Sequence, residues 1–291
     1  MGTELRVLGP GDESALFSFL LPRLETSLFL VSNAESAGLQ DRGEALQATY
    51  VAHVVDGAFT AVAAHCWNGV LMLQGDQGLE AAAQRATDVC QRRVNGLIGP
   101  LPLTQRARSA LGLAQRRAAK DDSEVLFSLE LEQVIVPELL LRPEFELRRA
   151  TLDEVEQPLG GWRADYLVTA LGARPTPELA NTARADLQRS TGAGMNFILL
   201  RAGEPVSMTQ FNARARGVVQ VGGVWTPPHL RGRGYARAAV AGSLLIARAE
   251  GAHKSVLFTG KANLAAVAAY QALGYRPFGE WGLVLFDPSD A

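Results

Sequence analysis

The chain has 291 residues, 47% of them hydrophobic and 20% charged, which supplies enough apolar surface for a packed core and excludes disorder, a collagen repeat or a disulfide-stapled miniature fold. Its 28 basic and 30 acidic side chains nearly cancel to a formal net charge of −2, and no segment gathers the basic ones into a phosphate-tracking stripe. Nucleic acid is therefore not expected as a partner. At roughly 100 to 200 residues per domain the length fits one large domain or two, and two are expected.

The start, Met1-Gly2-Thr3-Glu4, carries no basic cluster, and the apolar stretch 17–31 is interrupted by Pro22, Arg23 and Glu25. Neither a secretory signal nor a membrane span is expected, and the chain reads as cytoplasmic. A short strand over 4–8 precedes the turn Gly9-Pro10-Gly11-Asp12 and a helix over 13–21. Two β-rich runs, 49–55 and 59–65, flank Asp56-Gly57, a strong hairpin signal. Residues 79–93 read as an Ala-rich helix, 96–99 as a short apolar strand and 104–117 as another helix. Over 123–134, Val125, Phe127, Leu129 and Leu131 alternate with Glu124, Ser128, Glu130 and Glu132, the period of a strand. Cys66 and Cys90 lack CxxC spacing and read as small hydrophobes. His53 and His65 fall on opposite arms of the predicted hairpin with no third ligand in view, so no metal is expected.

Pro137 and Pro143 flank a leucine run, an alternating pattern restarts over 144–149, and Thr151-Leu-Asp-Glu154 has the spacing of a capping box. The domain boundary is placed there, giving units 1–140 and 141–291. The second half repeats the first in outline. It has a strand over 146–149, helices over 152–171 and 177–190, and hairpin arms over 196–201 and 206–212 around Gly203-Glu204. A strand over 217–225, a helix over 235–249 closed by Gly251, and a final strand, helix and strand over 255–259, 265–273 and 277–286 complete it. The fold class is α/β with a mixed sheet, built from two copies of one unit.

The segment that carries chemistry runs from Val218 to Ala239. An apolar strand ends, Pro227-Pro228 forces a turn, and Arg231-Gly232-Arg233-Gly234 opens a helix at Tyr235-Ala236-Arg237. Such a turn aims unpaired backbone N–H groups and the positive end of a helix at one point, and glycines let an anion approach the backbone. Neither GxxxxGK[ST] nor GxGxxG occurs here. The stretch resembles the acyl-CoA-binding motif [RQ]xxGx[GA] of the GNAT acyltransferase superfamily, matched by Arg231, Gly234 and Ala236. A second signature follows: Asn263 opens a helix, Tyr270 stands seven residues on, and Leu273-Gly274-Tyr275 precedes the last strand.

The resemblance implies two tandem GNAT-like units, the second an acetyl-CoA-dependent N-acetyltransferase. In this family the strand before the loop bulges, and the consecutive Gly222-Gly223 is where a bulge costs least. The resemblance then assigns Val224 N–H to the thioester carbonyl, Trp225 and Thr226 to pairing with the pantetheine arm, and the backbone of Arg231, Gly232, Arg233, Gly234, Tyr235 and Ala236 to the pyrophosphate. Asn263 would bond the pantetheine arm, and Tyr270 would protonate the departing thiolate. The glutamate that some members use as base is replaced here by Val219; water or a carboxylate such as Glu280 remains open, and His229 reads as a loop residue.

In the first half the equivalent loop falls between Leu71 and Leu79, lacks the motif and carries Asp76, which would repel a phosphate. That half is expected to be a degenerate scaffold without CoA. Acetyl-CoA is the expected co-substrate, and a small-molecule or peptide amine the acceptor. No nucleic acid or membrane partner is expected, and the protein would be a monomer or homodimer. The rival reading is a non-catalytic acyl-CoA-binding regulatory module. Transfer of an amino acid from charged tRNA would need a basic channel, which the charge balance does not offer. Acceptor choice in this family lies in the early helices, here 152–190, where Asp153, Glu154, Glu156, Asp165 and Asp186 read as a solvated face rather than a polyamine site.

Overall fold

The computed structural model describes residues 2–290. In chain order its elements are β1 (Thr3–Val7), α1 (Glu13–Leu20), α2 (Leu24–Ala37), β2 (Ala48–Val55), β3 (Ala58–Cys66), β4 (Val70–Gly75), α3 (Leu79–Cys90), β5 (Gly96–Pro100), α4 (Leu101–Ala110) and β6 (Ala118–Glu130). There follow β7 (Phe145–Arg149), α5 (Leu152–Glu154), α6 (Gly160–Leu171), α7 (Pro177–Gly192), β8 (Asn196–Arg201), β9 (Glu204–Ala215) and β10 (Val218–Trp225). The chain ends with α8 (Tyr235–Ala249), β11 (Lys254–Gly260), α9 (Leu264–Gln271) and β12 (Arg276–Phe286). It divides into a first unit, Met1–Val125 with Gly279–Ala291, and a second, Leu126–Phe278. This differs from the expected boundary at 140/141, because β6 crosses the division and most of β12 returns to the first unit.

In the first unit the strands lie in the order β1-β2-β3-β4-β5-β12. β4 and β5 are parallel, and β12 pairs antiparallel with β5 from Trp281↔Pro100 to Leu285↔Gly96. That pairing puts Val284 and Phe286 into the core with Leu71, Leu73, Leu79 and Leu97. The hairpin β2–β3 turns on Asp56 and Gly57, with φ of 49° and 83°, the left-handed pair whose twist matches the flanking strands. The helix α2 is an addition to the sequence reading. Pro22 sits at the first turn of a short 3₁₀ segment, Leu21–Arg23, where its missing N–H leaves no bond broken, and the helix resumes at Leu24. The combined run Glu13–Ala37 is long and apolar enough to cross a membrane by length and composition alone. Its Leu16, Leu20, Leu28 and Val31 are buried within the protein. α4 stops at Ala110 rather than 117, with Gly112 at φ +67° behind it.

In the second unit the order is β6-β11-β10-β9-β8-β7. One face carries α8, whose Tyr235, Ala238 and Ala239 pack on Leu199 and Val206. The other carries α6 and α7, where Val155, Leu159, Trp162, Tyr166 and Leu187 cover Ile198, Leu200, Met208 and Trp225. The alternation of Leu199 with Ile198 and Leu200 is the two-residue period of a strand covered on both faces. Thr151 and Glu154 form the expected capping box, with Thr151 N–H donating to Glu154 Oε2 at 2.8 Å. The expected single helix over 152–171 is broken, however. Gln157 is extended (φ −153°, ψ 130°) before Pro158, as a residue preceding proline tends to be, and α6 begins only at Gly160. The β8–β9 turn falls on Ala202-Gly203, φ 50° and 85°, one residue earlier than predicted.

Candidate active site

The parallel pair β10–β11 opens like a V. Pairing holds at Val218↔Lys254, Val219↔Ser255 and Gln220↔Val256 and then stops, although both strands continue, to Trp225 and Gly260. On its other side β10 is bulged against β9: the register passes from Gly222↔Gln210 to Trp225↔Met208, leaving Gly223 and Val224 facing a single residue. Gly223 holds φ +55°, and a Cβ there would stand 2.7 Å from the Gln210 side chain. Glycine is what lets the chain make this kink. Val224 is half-buried, beyond the paired stretch of β11 and within the bulge.

Trp225 and Thr226 are tied down. Ser207 Oγ donates to the Trp225 carbonyl at 3.0 Å and lies 2.9 Å from Thr226 Oγ1, while Arg231 Nε donates to the Thr226 carbonyl at 3.0 Å. The Arg231 guanidinium stacks on the Trp225 ring at 4.8 Å. The motif arginine therefore uses its side chain to lock the end of β10, and its own N–H donates to Pro228 O at 3.3 Å. Of the six residues expected at the pyrophosphate, Arg231 is the one whose N–H is already engaged.

Gly232 and Gly234 both hold left-handed φ, 77° and 81°, and a Cβ built on Gly232 would meet nothing within 4 Å. The turn is an open cradle. Gly234 caps α8, and the first residue to bond back into the helix is Ala238, to Gly234 O at 3.0 Å. The N–H groups of Tyr235, Ala236 and Arg237 therefore point out of the helix end. The sequence reading passed over Arg237, whose guanidinium reaches 3.9 Å from where a Gly234 Cβ would be. Its four-residue offset from Arg233 was the signal that could have found it. Tyr235 is buried and its hydroxyl accepts from Arg201 at 3.3 Å, so its side chain is structural.

Across the V, Asn263 caps α9, its Oδ1 accepting from Ala266 N–H at 3.2 Å, which leaves the amide nitrogen for a ligand. Tyr270 is half-buried on the same helix. Its ring lies 6.0 Å from Tyr275 and 6.4 Å from Phe127, and Tyr275 is anchored to Ser255 of β11 by a 2.6 Å hydroxyl pair. Burial pushes the Tyr275 phenol far above its ordinary range, with Ser255 only partly opposing, so Tyr275 stays neutral. Val219 is wholly buried, His229 is exposed, and Glu280 is exposed on the segment that belongs to the first unit.

The sequence over residues 162–275 matches the Acetyltransferase (GNAT) family. No curated protein matches the chain. Among solved structures, the whole chain has the fold of a Drosophila protein (17% identity, TM-score 0.68, covering 98% of this chain and 99% of that one). A GCN5-related N-acetyltransferase from Sphaerobacter thermophilus is similar at 15% identity and TM-score 0.60, over 99% and 98% of the two chains. A tandem GNAT protein from the clavulanic acid biosynthesis pathway aligns at 11% identity and TM-score 0.58, over 99% and 100%. The whole chain thus shares the fold of these structures, and the match to a family of acetyltransferases within its second unit supports acyl transfer in general.

The first unit differs from the second where the second opens. β4 and β5 pair from Val70↔Gly96 to Met72↔Ile98, and at the next position Leu73 O lies 2.9 Å from where a Gly99 Cβ would stand, so the strands remain together. Gly78 caps α3 in left-handed conformation as Gly234 caps α8, yet a Cβ there would fall on the His53 imidazole. Asp76 and Glu80 stand at the same helix end, bound by Arg106 at 2.6 and 2.7 Å.

Proposed function

We propose that the second unit is an acetyl-CoA-dependent N-acetyltransferase that moves an acetyl group to a primary amine by direct attack in a ternary complex. The observation that carries this reading is the unpaired, bulged end of β10 leading within one turn to the open N-terminus of α8. An extended pantetheine arm needs a strand edge to pair with, and a pyrophosphate needs converging N–H donors, and the two stand in sequence here.

In this reading the N–H groups from Gly232 to Arg237, with the Arg233 and Arg237 guanidinium groups, hold the pyrophosphate. The Gly223–Val224 edge pairs with the pantetheine arm, helped by the Asn263 amide. Val224 N–H donates to the thioester carbonyl oxygen. As the amine nitrogen bonds to the carbonyl carbon, that N–H stabilises the oxyanion. The carbon–sulfur bond then breaks, the Tyr270 hydroxyl gives its proton to the thiolate, and the nitrogen loses its extra proton to water, which restores the phenol through solvent. The Tyr270 ring packs against Phe127 and Tyr275 at the cleft. Trp225 and Thr226 act by fixing the strand end, not by pairing with the arm through their carbonyls. The first unit serves as a scaffold with no acyl-CoA site, because its helix end is filled by His53 and its own carboxylates.

The test is release of free CoA thiol from acetyl-CoA by the purified protein over a panel of primary amines. Amine-dependent release at rates above buffer is the expected result. Tight acetyl-CoA binding with no release for any amine would favour the non-catalytic module instead.

A further inference from the structure

Two buried hydrogen-bond donors on the α6 face of the second unit have no acceptor among the described residues. Trp225 is 6% exposed and its indole Nε1 meets no partner. Arg163 on α6 has a buried Nε, also without a partner, and its guanidinium lies over the Tyr166 ring at 5.2 Å. Tyr166 and Trp162 pack against the cluster that holds Trp225, and the Arg163 guanidinium lies over the Tyr166 ring, so both donors stand on the α6 side of the end of β10. Trp162, Arg163 and Tyr166 fall within about one turn of helix, which places them side by side.

Orphaned donors are uncommon in a folded interior, because each is taken from water without a replacement bond, and one on a charged group costs more than one on a neutral group. Burial indeed pushes the Arg163 pKa below its ordinary value, against the opposing pull of Tyr166 and Asp186. Three acidic side chains of the surrounding helices are paired with other arginines. Glu154 pairs with Arg148 at 2.7 Å, Glu156 with Arg184 at 3.3 Å and Asp186 with Arg189 at 3.1 Å. What the patch lacks is a group rich in acceptors and carrying negative charge. Val224, the proposed donor to the thioester, is the residue before Trp225, so the patch adjoins the place where the acceptor amine must wait.

We infer that the acceptor carries a carboxylate, held by Arg163 and the Trp225 indole while its amino group faces the thioester. The acceptor class is then a small amino acid or other short amine with a free carboxylate. A planar carboxylate matches the guanidinium fork, and a diamine would set a second cation against Arg163. This rests on the acyltransferase reading above. Arg163 is a specificity-determining binding residue and takes no part in the bond changes.

The experiment compares the free α-amino acids and 4-aminobutyrate with their carboxamides and with putrescine, reading thiol release from acetyl-CoA. Carboxylate amines are expected to exceed the carboxamides and putrescine by about tenfold or more in kcat/KM, the worth of one charge-assisted hydrogen bond. Arg163→Met should raise KM for the best carboxylate amine by about tenfold or more and leave acetyl-CoA binding and Tm unchanged. Arg163→Lys should recover part of the KM. Equal turnover of carboxylates and carboxamides overturns the inference. So does a lower Tm with unchanged KM in Arg163→Met, which marks the arginine as structural. Acetyl-CoA binding without turnover of any carboxylate amine overturns it while the acyl-CoA site stands; failure to bind acetyl-CoA removes the reading beneath it.

Discussion

Gly234 stands where the loop after β10 turns into α8, at φ +81° with nothing but the Arg237 guanidinium within 4 Å of a would-be Cβ. Space is not what requires glycine here; the backbone conformation is. Gly234→Ala should therefore destabilise the protein by about 1 kcal/mol, read as a lower midpoint in urea, and weaken acetyl-CoA binding little. A β-branched residue should cost more, because it tolerates positive φ least. Tyr270 makes the opposite case, a residue whose ring packs ordinarily and whose hydroxyl carries the proposed proton transfer. Tyr270→Phe keeps the contacts with Phe127 and Tyr275 and should lower kcat about 10²-fold with the acetyl-CoA dissociation constant unchanged. Unchanged kcat in that variant would take the phenol out of the mechanism. The proposed anion cradle was readable in the sequence only because the Arg231–Ala236 motif is joined by the second signature from Asn263 to Tyr275; Arg-Gly-Arg-Gly before a helix is by itself also a plain Gly-rich cap. Arg163 and the orphaned indole of Trp225 were not readable, because the want of a partner is a property of packing and leaves no trace in the local pattern.

The elements of the first unit are clipped together by one part-buried ion pair. Asp41, ahead of β2, accepts from both Arg92 terminal nitrogens at 2.7 and 2.8 Å and from Thr49 Oγ1 at 2.6 Å. Burial would raise the Asp41 pKa, but the hydrogen bonds from Arg92 and Thr49 outweigh it and bring the carboxyl down to about 2 from 3.8. A lowered carboxylate stabilises the fold above its unfolded pKa and loses that contribution as pH falls through the folded value. The clip is thus worth on the order of 2 kcal/mol at neutral pH, fading between about pH 5 and pH 2. In urea unfolding, Asp41→Asn should be less stable than wild type at pH 7 and approach it near pH 3; a gap independent of pH would contradict this. Strongly patterned elements were legible: the Asp56-Gly57 hairpin, the capping box at Thr151 and α8, whose expected bounds 235–249 match Tyr235–Ala249. Prolines misled in both directions. Pro22 reads as a helix breaker but sits at a first turn, where it is harmless, while Pro158 breaks a helix whose apolar spacing reads as continuous.

At the scale of the molecule, the sequence shows two units but not which strands belong to which. β12 is exposed over its first five residues and buried from Trp281 to Val284, and its choice of β5 as partner is a non-local contact that no local pattern encodes. Deleting residues 279–291 should therefore damage the first unit rather than the second, baring β5 and the core around Leu97 and Ala107. The expected readout is loss of hydrogen-exchange protection in β2–β5 with β8–β10 still protected; the reverse pattern would contradict the division of the chain. The same division frames the central claim, that one unit holds acyl-CoA and the other does not. Calorimetric titration of the full chain with acetyl-CoA, beside Gly234→Asp, tests it most directly. One site per chain, lost when a carboxylate stands in the cradle, is the predicted result. No binding, two equal sites, or binding that survives Gly234→Asp would contradict it.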